Sequence, residues 1–327
     1  MNDSNTIPLI DLAPLQGDGP GGAAKIAPAL RQALEEIGFL IIVNHGVPQD
    51  LIDGTFEAAR RFHAQDMAAK TAVLMNADNN GYMAMARYSV RTSRVSEDAA
   101  VEMNEAFFIK RERRADDPMA KRRFCGPNEW PAGLPGFREG LLAYAQAVDD
   151  LGQRMLPAVA LALDLPEDTF TDAFAESQFS LRLSHYPPQE NLPGQYGFAP
   201  HTDANFMTFL AQSGVPGLQI QMRGDEWWDV PYVPGSFVVN TGDMLHRWTN
   251  GRFRSTAHRV IPPQDQRRYA IPYFLGPHLD SKISCLPGCS SPENPPRFPD
   301  ITYNDYMNWW YDANYNAAKQ KDLAAGS

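Results

Sequence analysis

The hydrophobic period of the sequence changes near residue 178, and this change restricts the folds open to the chain. From there Phe179, Leu181 and Leu183 alternate with polar residues, which is the period of two expected of a strand. Further short apolar runs follow, separated by turn residues, at 206–211, 217–222, 237–240 and 269–275. Many short strands at close spacing predict a sandwich or a small barrel. No helical pattern separates them, which disfavours a parallel α/β sheet.

Helical spacing dominates the sequence before about residue 175. Apolar residues recur at helical spacing over 22–36, 48–68 and 140–163, whereas the continuous apolar run over 39–43 is typical of a buried strand. A Pro-rich stretch ends at Pro299, and a last helix is predicted over 303–319. We therefore predict an α+β fold with a mostly β core. Residues 1–175 would form a mainly helical region, 176–278 the β core, and 279–327 a C-terminal extension with a helix.

The charge and composition of the chain disfavour several classes of partner. The 327 residues carry a formal net charge of −10, so we expect no binding to nucleic acid or to a membrane surface. A basic cluster over 111–123 is interleaved with acidic residues and is interpreted as a solvated face. No apolar run is long enough to span a membrane, and the polar N-terminus does not resemble a signal peptide. Three cysteines without a dense framework indicate a reducing compartment, so we expect a cytoplasmic protein.

Three residues in the β-rich half form a candidate metal site. His201 and Asp203 lie two apart, so on a strand both side chains would point to the same face. That pair alone is a weak signal, because many such pairs are surface residues. His258, just before another apolar strand, supplies a second imidazole. Two imidazoles and one carboxylate form the facial triad of non-haem Fe(II) oxygenases.

The number of ligands suits oxygen chemistry at iron. Octahedral iron with three protein ligands keeps three coordination positions free, which is enough for a bidentate co-substrate and O2. A fourth protein ligand would block one of these positions. The three residues are therefore also the candidate catalytic centre.

Arg268 is a candidate anion-binding residue. It opens an otherwise apolar strand, and a guanidinium that faces a barrel interior needs an anionic partner, because an unpaired buried charge is costly. A dicarboxylate co-substrate would supply that partner in the bidentate geometry that arginine favours. The alternative is that Arg267 and Arg268 cap a loop and that Arg268 is exposed.

Short motifs spread over nearly the whole chain match one family. They lie at residues 7–12, 38–48, 183–188, 201–203, 240–243, 249–251 and 258–260. Together they resemble the 2-oxoglutarate- and Fe(II)-dependent dioxygenases of the isopenicillin N synthase-like type.

This resemblance implies a fold, a reaction and several residue roles. The fold would be a distorted double-stranded β-helix, or jelly roll, with a helical N-terminal region. His201, Asp203 and His258 would bind Fe(II), Arg268 would pair with the distal carboxylate of 2-oxoglutarate, and Tyr186 would lie near this co-substrate. The enzyme would use O2 to hydroxylate, desaturate or cyclise a small metabolite, releasing succinate and CO2.

The sequence departs from the family pattern at two positions near the expected co-substrate site. Ala270 replaces the serine of the usual Arg-x-Ser pattern, which removes one hydroxyl hydrogen bond worth about 0.5–1.5 kcal/mol. Ser184 stands where an asparagine is common. We expect 2-oxoglutarate binding to be weakened and not abolished, because the charged contact of the arginine is the larger contribution.

The substrate is not identified by the sequence. The segment 81–91 lies where family members often line the pocket, so Tyr82, Arg87 and Arg91 are substrate candidates, with Phe206 as a packing residue. A surface loop is the alternative for this segment. Two other functions remain open: an iron oxidase that takes all its electrons from the substrate, and a non-catalytic jelly-roll binding protein.

Overall fold

A computed structural model describes residues 6–17, 21–85, 102–190, 194–222 and 226–313. Its α-helices are α1 Gly22–Glu36, α2 Gln49–His63, α3 Met67–Thr71, α4 Phe137–Ala162, α5 Thr171–Phe174, α6 Asp243–Trp248 and α7 Tyr303–Tyr311. Short 3-10 helices lie at Ala13–Leu15 and Pro118–Lys121. The first seven strands are β1 Leu9–Asp11, β2 Phe39–Val43, β3 Gly81–Met83, β4 Glu105–Lys110, β5 Gln178–Tyr186, β6 Phe198–His201 and β7 Met207–Gln212. The others are β8 Leu218–Gln221, β9 Trp227–Asp229, β10 Phe237–Thr241, β11 His258–Val260, β12 Arg268–Gly276, β13 Lys282–Ile283 and β14 Ile301–Thr302.

Two sheets enclose a cavity. The larger has the order β1-β2-β10-β7-β12-β5-β4-β3, and the smaller has the order β6-β11-β8-β9. Side chains from both sheets line the cavity, among them Arg182 and Ala270 from the larger and Phe198 and Leu218 from the smaller. The fold is a double-stranded β-helix with added helices, as predicted.

Helices cover the outer face of the large sheet. Ile26, Leu30 and Leu34 follow one another at helical spacing on α1 and are at most 4% exposed. They belong to the same apolar core as the buried face of α4 and the outward side chains of β5 and β12. The central strands are therefore buried on both faces, which holds the cavity-facing side chains on a rigid support.

The structure differs from the predicted elements at several points, two of which lie close to the β core. The last helix, predicted over 303–319, is Tyr303–Tyr311, and residues 314–319 lie outside the described residues. The helical pattern over 48–68 is divided, because α2 ends at His63 and Asp66 then caps α3 by accepting a hydrogen bond from the Ala69 amide at 2.8 Å. Strand β4 lies in the region predicted to be mainly helical. All six of its residues are buried, so it has no apolar–polar alternation from which a strand could be recognised.

The basic cluster is mostly paired with carboxylates of the same chain. Arg111 contacts Asp149 at 2.9 Å, Arg122 contacts Asp280 at 2.8 Å and Arg123 contacts Asp312 at 2.8 Å. The prediction of a uniformly solvated face is wrong for Arg113, whose side chain is only 4% exposed. Within the described part of the chain, no helix is long and apolar enough to cross a membrane.

Candidate metal and co-substrate site

Strand pairing brings the three predicted metal ligands together. His201 ends β6 and lies directly opposite His258, the first residue of β11. Asp203 follows two residues after His201, and its Oδ1 lies 3.7 Å from His201 Nε2 and 3.6 Å from His258 Nε2. The three candidate ligand atoms are therefore close enough to contact one ion.

Backbone carbonyls fix the orientation of both imidazoles. His201 Nδ1 lies 2.8 Å from the Ala199 carbonyl, and His258 Nδ1 lies 3.2 Å from the Thr256 carbonyl. Since a carbonyl oxygen can only accept, each Nδ1 carries the proton and each Nε2 presents its lone pair toward Asp203. This tautomer is the one that a metal ion requires at Nε2.

Two side chains orient the carboxylate of Asp203. Its Oδ2 accepts hydrogen bonds from Thr208 at 2.6 Å and from Asn240 at 2.8 Å, which leaves Oδ1 facing the two histidines. The backbone of Gly242 passes so close that an added Cβ would lie 2.0 Å from the Asn205 carbonyl oxygen. These contacts give the motif at residues 240–243 a structural role. Asn240 holds the Asp203 carboxylate, and Gly242 allows the two chain segments to approach each other closely.

The charge state of the site at neutral pH suits a cation. Burial and the adjacent His258 lower the pKa of His201 to about 3, so its imidazole is neutral. Burial alone would raise the pKa of Asp203. The electrostatic influence of the neighbouring His258 and His201, together with the hydrogen bonds from Asn240 and Thr208, outweighs burial, and the pKa of Asp203 lies below its usual value. A neutral imidazole next to an ionised carboxylate is a donor set that a divalent cation fits.

Arg268 is buried in the same cavity with most of its hydrogen-bonding capacity unused. It is 1% exposed, and its Nε donates to the Val215 carbonyl at 3.2 Å. Among the described residues, neither terminal nitrogen of the guanidinium finds a hydrogen-bond acceptor. The group lies 4.9 Å from the ring of Tyr186, its neighbour in strand register. Burial lowers the pKa of Arg268. The exposed-cap alternative is therefore wrong, and the group can receive an anion.

Ser184 on β5 supplies a hydroxyl opposite Ala270, the position on β12 where the family pattern has a serine. Ala270 lies in register with Ser184, and both line the cavity. Ser184 is 1% exposed, and its hydroxyl has no hydrogen-bond partner among the described residues. Both substitutions are visible in the sequence, but only the strand pairing brings the two residues opposite each other.

The substrate candidates have different placements. The Tyr82 hydroxyl lies 2.5 Å from Glu105 Oε2 on the far side of the sheet, and Phe206 packs against Phe170 and Phe174 in the core. Neither residue is among those that line the cavity. Arg87 and Arg91 lie outside the described residues.

A second group of potential metal ligands lies behind the cavity. His63, Glu105 and His185 are all buried and lie close together. However, Glu105 Oε1 accepts from His185 Nδ1 at 2.8 Å, and Glu105 Oε2 contacts the Lys70 ammonium at 2.9 Å. Because a cation already neutralises this carboxylate, the group is an internal ion-pair network and a poor site for a second metal.

Comparison with known proteins agrees with this geometry. Residues 177–277 match the model of the 2OG-Fe(II) oxygenase superfamily, and residues 7–133 match that of the non-haem dioxygenase in morphine synthesis N-terminal region. A 2-oxoglutarate-Fe(II) type oxidoreductase, hxnY of Emericella nidulans, is 34% identical over 97% of this chain and 93% of its own length. The chain belongs to the 2-oxoglutarate- and Fe(II)-dependent oxygenases. The predicted family is confirmed.

Solved structures of this oxygenase family have the same fold. A full-length protein of Neurospora crassa, in complex with alpha-KG (2-oxoglutarate) and thymine, superposes with a TM-score of 0.82 and 26% identity over 96% of this chain and 98% of that one. JOX2, in complex with 2OG, Fe and JA, gives a TM-score of 0.77 and 29% identity over 93% of this chain and 84% of that one. This oxygenase thus uses Fe(II), 2-oxoglutarate and O2 to oxidise a small molecule, with release of succinate and CO2.

Proposed function

We propose that His201, Asp203 and His258 bind the Fe(II) of this oxygenase, and that Arg268, Tyr186 and Ser184 bind its 2-oxoglutarate. The observation that carries the proposal is that one cavity contains both the three candidate ligand atoms and the buried guanidinium of Arg268. Three ligand atoms face one another, and their other polar atoms are already hydrogen-bonded. A buried guanidinium with two free nitrogens lines the same cavity.

Some residues of the cavity bind the metal and the co-substrate, and others orient the side chains that do so. When bound, Fe(II) and 2-oxoglutarate supply the oxidising chemistry, in which decarboxylation of the co-substrate is coupled to substrate oxidation by O2. Arg268 neutralises the distal carboxylate and fixes the direction in which the co-substrate lies. Thr208 and Asn240 keep Asp203 Oδ1 directed at the metal, and the apolar walls of the cavity exclude water from the oxidant.

Arg268 also discriminates between the two catalytic alternatives. An oxidase that draws all its electrons from the substrate has no need for a buried dicarboxylate partner. A guanidinium with both terminal nitrogens unpaired would then destabilise the fold without a function. One molecule of succinate formed per substrate oxidised is the expected stoichiometry, and substrate oxidation without succinate would favour the oxidase.

The oxygenase is also proposed to act in the cytoplasm. Cys125, Cys285 and Cys289 are free thiols, which supports a reducing compartment.

An anaerobic spectroscopic titration tests the assignment of the site. Fe(II) followed by 2-oxoglutarate should produce a visible charge-transfer band in the wild-type protein. His201→Ala should abolish the band, since it removes one of three ligands. Arg268→Met should retain the band but shift its 2-oxoglutarate midpoint upward by roughly tenfold or more, because a charged hydrogen bond is worth about 1.5–3 kcal/mol.

Circular dichroism and urea unfolding provide the control for folding. Arg60→Met, at an exposed position of α2, serves as the matched arginine control and should leave the midpoint unchanged. A full-strength band in His201→Ala would remove the metal assignment. An unchanged midpoint in Arg268→Met would remove the co-substrate assignment.

A further inference from the structure

A row of polar side chains with unused hydrogen-bonding atoms follows the inner face of β5. Every second residue of the strand lines the cavity, and the row consists of Gln178, Ser180, Arg182, Ser184 and Tyr186. Four buried atoms of this row have no hydrogen-bond partner in the part of the chain that the structure describes: Gln178 Nε2, Ser180 Oγ, Arg182 Nε and Ser184 Oγ. Since buried polar atoms are nearly always paired in native proteins, so many unpaired atoms on one strand face mark a place where a ligand completes the bonding.

Arg182 is the charged member of this row. It is 6% exposed, and one terminal nitrogen donates to the Asn104 side chain. Within the described ranges, no carboxylate lies within 4.0 Å of its guanidinium. The guanidinium carbon of Arg182, Cζ, lies 4.7 Å from the ring centre of Phe198 and 5.2 Å from the ring centre of Phe108. A buried cation between two aromatic faces that forms no ion pair with any of the described residues is suited to an anionic ligand.

The position of Arg182 places such an anion next to the metal and apart from the co-substrate. The ring of Phe198 that contacts Arg182 also lies 4.2 Å from the ring of His201. Arg268, in contrast, lies opposite Tyr186 in the strand register. Tyr186 is four residues after Arg182 on β5, so the Cα atoms of these two residues are about 13 Å apart. Because the backbones of the two arginines lie at different levels of the large sheet, the two guanidinium groups can serve two different ligands.

The residues that line the cavity indicate the shape and polarity of the part of the ligand that does not contact Arg182. Beyond Phe108 and Phe198, the cavity is lined by Phe274 from β12 and by Trp310 and Tyr311 from α7. These surfaces suit a flat, apolar body, since aromatic rings pack best against planar groups. Gln178 and Ser180 add hydrogen-bond donors on the same face as Arg182.

We propose that the substrate of this oxygenase is a small aromatic carboxylate, whose acid group pairs with Arg182 and whose ring packs among the aromatic side chains beside the metal. This inference rests on the proposed function, because it takes the iron and 2-oxoglutarate positions from it. It adds the chemical class of the substrate and makes Arg182 the residue that selects for charge.

Matched pairs of probes test the proposal. Benzoate, phenylacetate and cinnamate, each with its primary amide, are added to the anaerobic protein loaded with Fe(II) and 2-oxoglutarate. Binding is read from the perturbation of the charge-transfer band and from the rise in melting temperature. At least one acid should bind, and its amide, which has the same shape without the charge, should bind at least tenfold more weakly.

Arg182→Met should remove this preference and weaken binding of the acid at least tenfold. Its charge-transfer band and 2-oxoglutarate midpoint should match the wild type, which also demonstrates that the variant is folded. Arg182→Lys, which keeps the charge, should retain part of the preference, and Arg60→Met should retain all of it.

The outcomes separate this inference from the proposed function. Absence of the charge-transfer band in the wild-type protein would refute the proposed function. A normal band would overturn the substrate class alone if acids and amides bound equally, if no acid in the panel bound, or if Arg182→Met bound the acid as the wild type does.

Discussion

Ser184 and Ala270 face each other across two strands, and the contribution of the Ser184 hydroxyl to 2-oxoglutarate binding should be measurable. Ser184 lies two residues from Tyr186 on β5, and Ala270 lies two residues from Arg268 on β12, all on the cavity side. We predict that Ser184→Ala weakens 2-oxoglutarate binding by about 0.5–1.5 kcal/mol, because it removes a buried hydroxyl that has no hydrogen-bond partner among the described residues. The charge-transfer titration measures this change.

Restoring a hydroxyl on the other strand provides the complementary variant. Ala270→Ser in the Ser184→Ala background should recover most of the affinity. Ser180→Ala, four residues away on the same face, should leave the 2-oxoglutarate midpoint unchanged. Equal midpoints for wild type and Ser184→Ala would mean that the hydroxyl does not contact the co-substrate.

Residue chemistry was enough to single out the proposed metal ligands, but it could not identify what orients them. His201, Asp203 and His258 stand out because two imidazoles and a carboxylate near strand ends have few other uses. Asn240 and Thr208 are common residue types, and their contacts with Asp203 depend on strands β10 and β7 being neighbours. The motif containing Asn240 was visible in the sequence, whereas its role required the fold.

Strand β12 and helix α7 are in close contact where the strand ends. A Cβ added at Gly276, the last residue of β12, would lie 2.1 Å from the hydroxyl oxygen of Tyr303, the first residue of α7. We predict that Gly276→Ala displaces Tyr303 and destabilises the protein by about 1–3 kcal/mol, as overpacking typically does. Urea unfolding measures this loss.

A glycine in open space is the matched control. Gly54 lies within α2, and a Cβ there would meet nothing within 4 Å. Gly54→Ala should raise the free energy of unfolding by about 0.5–1 kcal/mol, since alanine is the better helix former. Equal stability of Gly276→Ala and the wild type would indicate that α7 can shift freely.

Strand β5 illustrates what periodicity can and cannot predict. The alternation of apolar and polar residues gave the strand and its two faces correctly. It did not indicate that the polar face, with Arg182 at its centre, points into a cavity, because a solvent-exposed face has the same pattern. Only the second sheet, which covers that face, distinguishes the two cases.

At the scale of the molecule, one buried carboxylate joins the N-terminal helices to the large sheet. Glu105 on β4 contacts His63 of α2, Lys70 of α3 and His185 of β5, and the Tyr82 hydroxyl of β3. Burial alone would raise the pKa of Glu105. The hydrogen bond from His185, the proximity of the His63 imidazole and the hydrogen bond from the Lys70 ammonium outweigh burial and hold the pKa of Glu105 far below its usual value.

This network predicts a pH-dependent contribution to stability. Because the pKa is depressed in the folded state, the unfolded state binds the proton first, so the contribution is full above about pH 4.5 and is lost as the pH falls below it. Glu105→Gln should cost about 3–5 kcal/mol at pH 7, since it leaves Lys70 buried without its counter-charge. The difference from the wild type should shrink at pH 4.

Urea unfolding at pH 7 and pH 4 measures both quantities. Glu167→Gln, at an exposed position, should differ little from the wild type at either pH. A deficit of the same size at both pH values for Glu105→Gln would show that the carboxylate charge is not what stabilises the junction.

The last helix supplies a wall of the cavity and none of the proposed metal ligands. Met307, Trp310 and Tyr311 line the cavity from α7, which Arg123 holds in place through Asn308 and Asp312. Substitutions at these three positions should alter the shape of the cavity without changing the pairing of the strands that carry the proposed metal ligands. A mutant library confined to this short segment is therefore a direct route to enzymes that accept new molecules while keeping the oxidising centre intact.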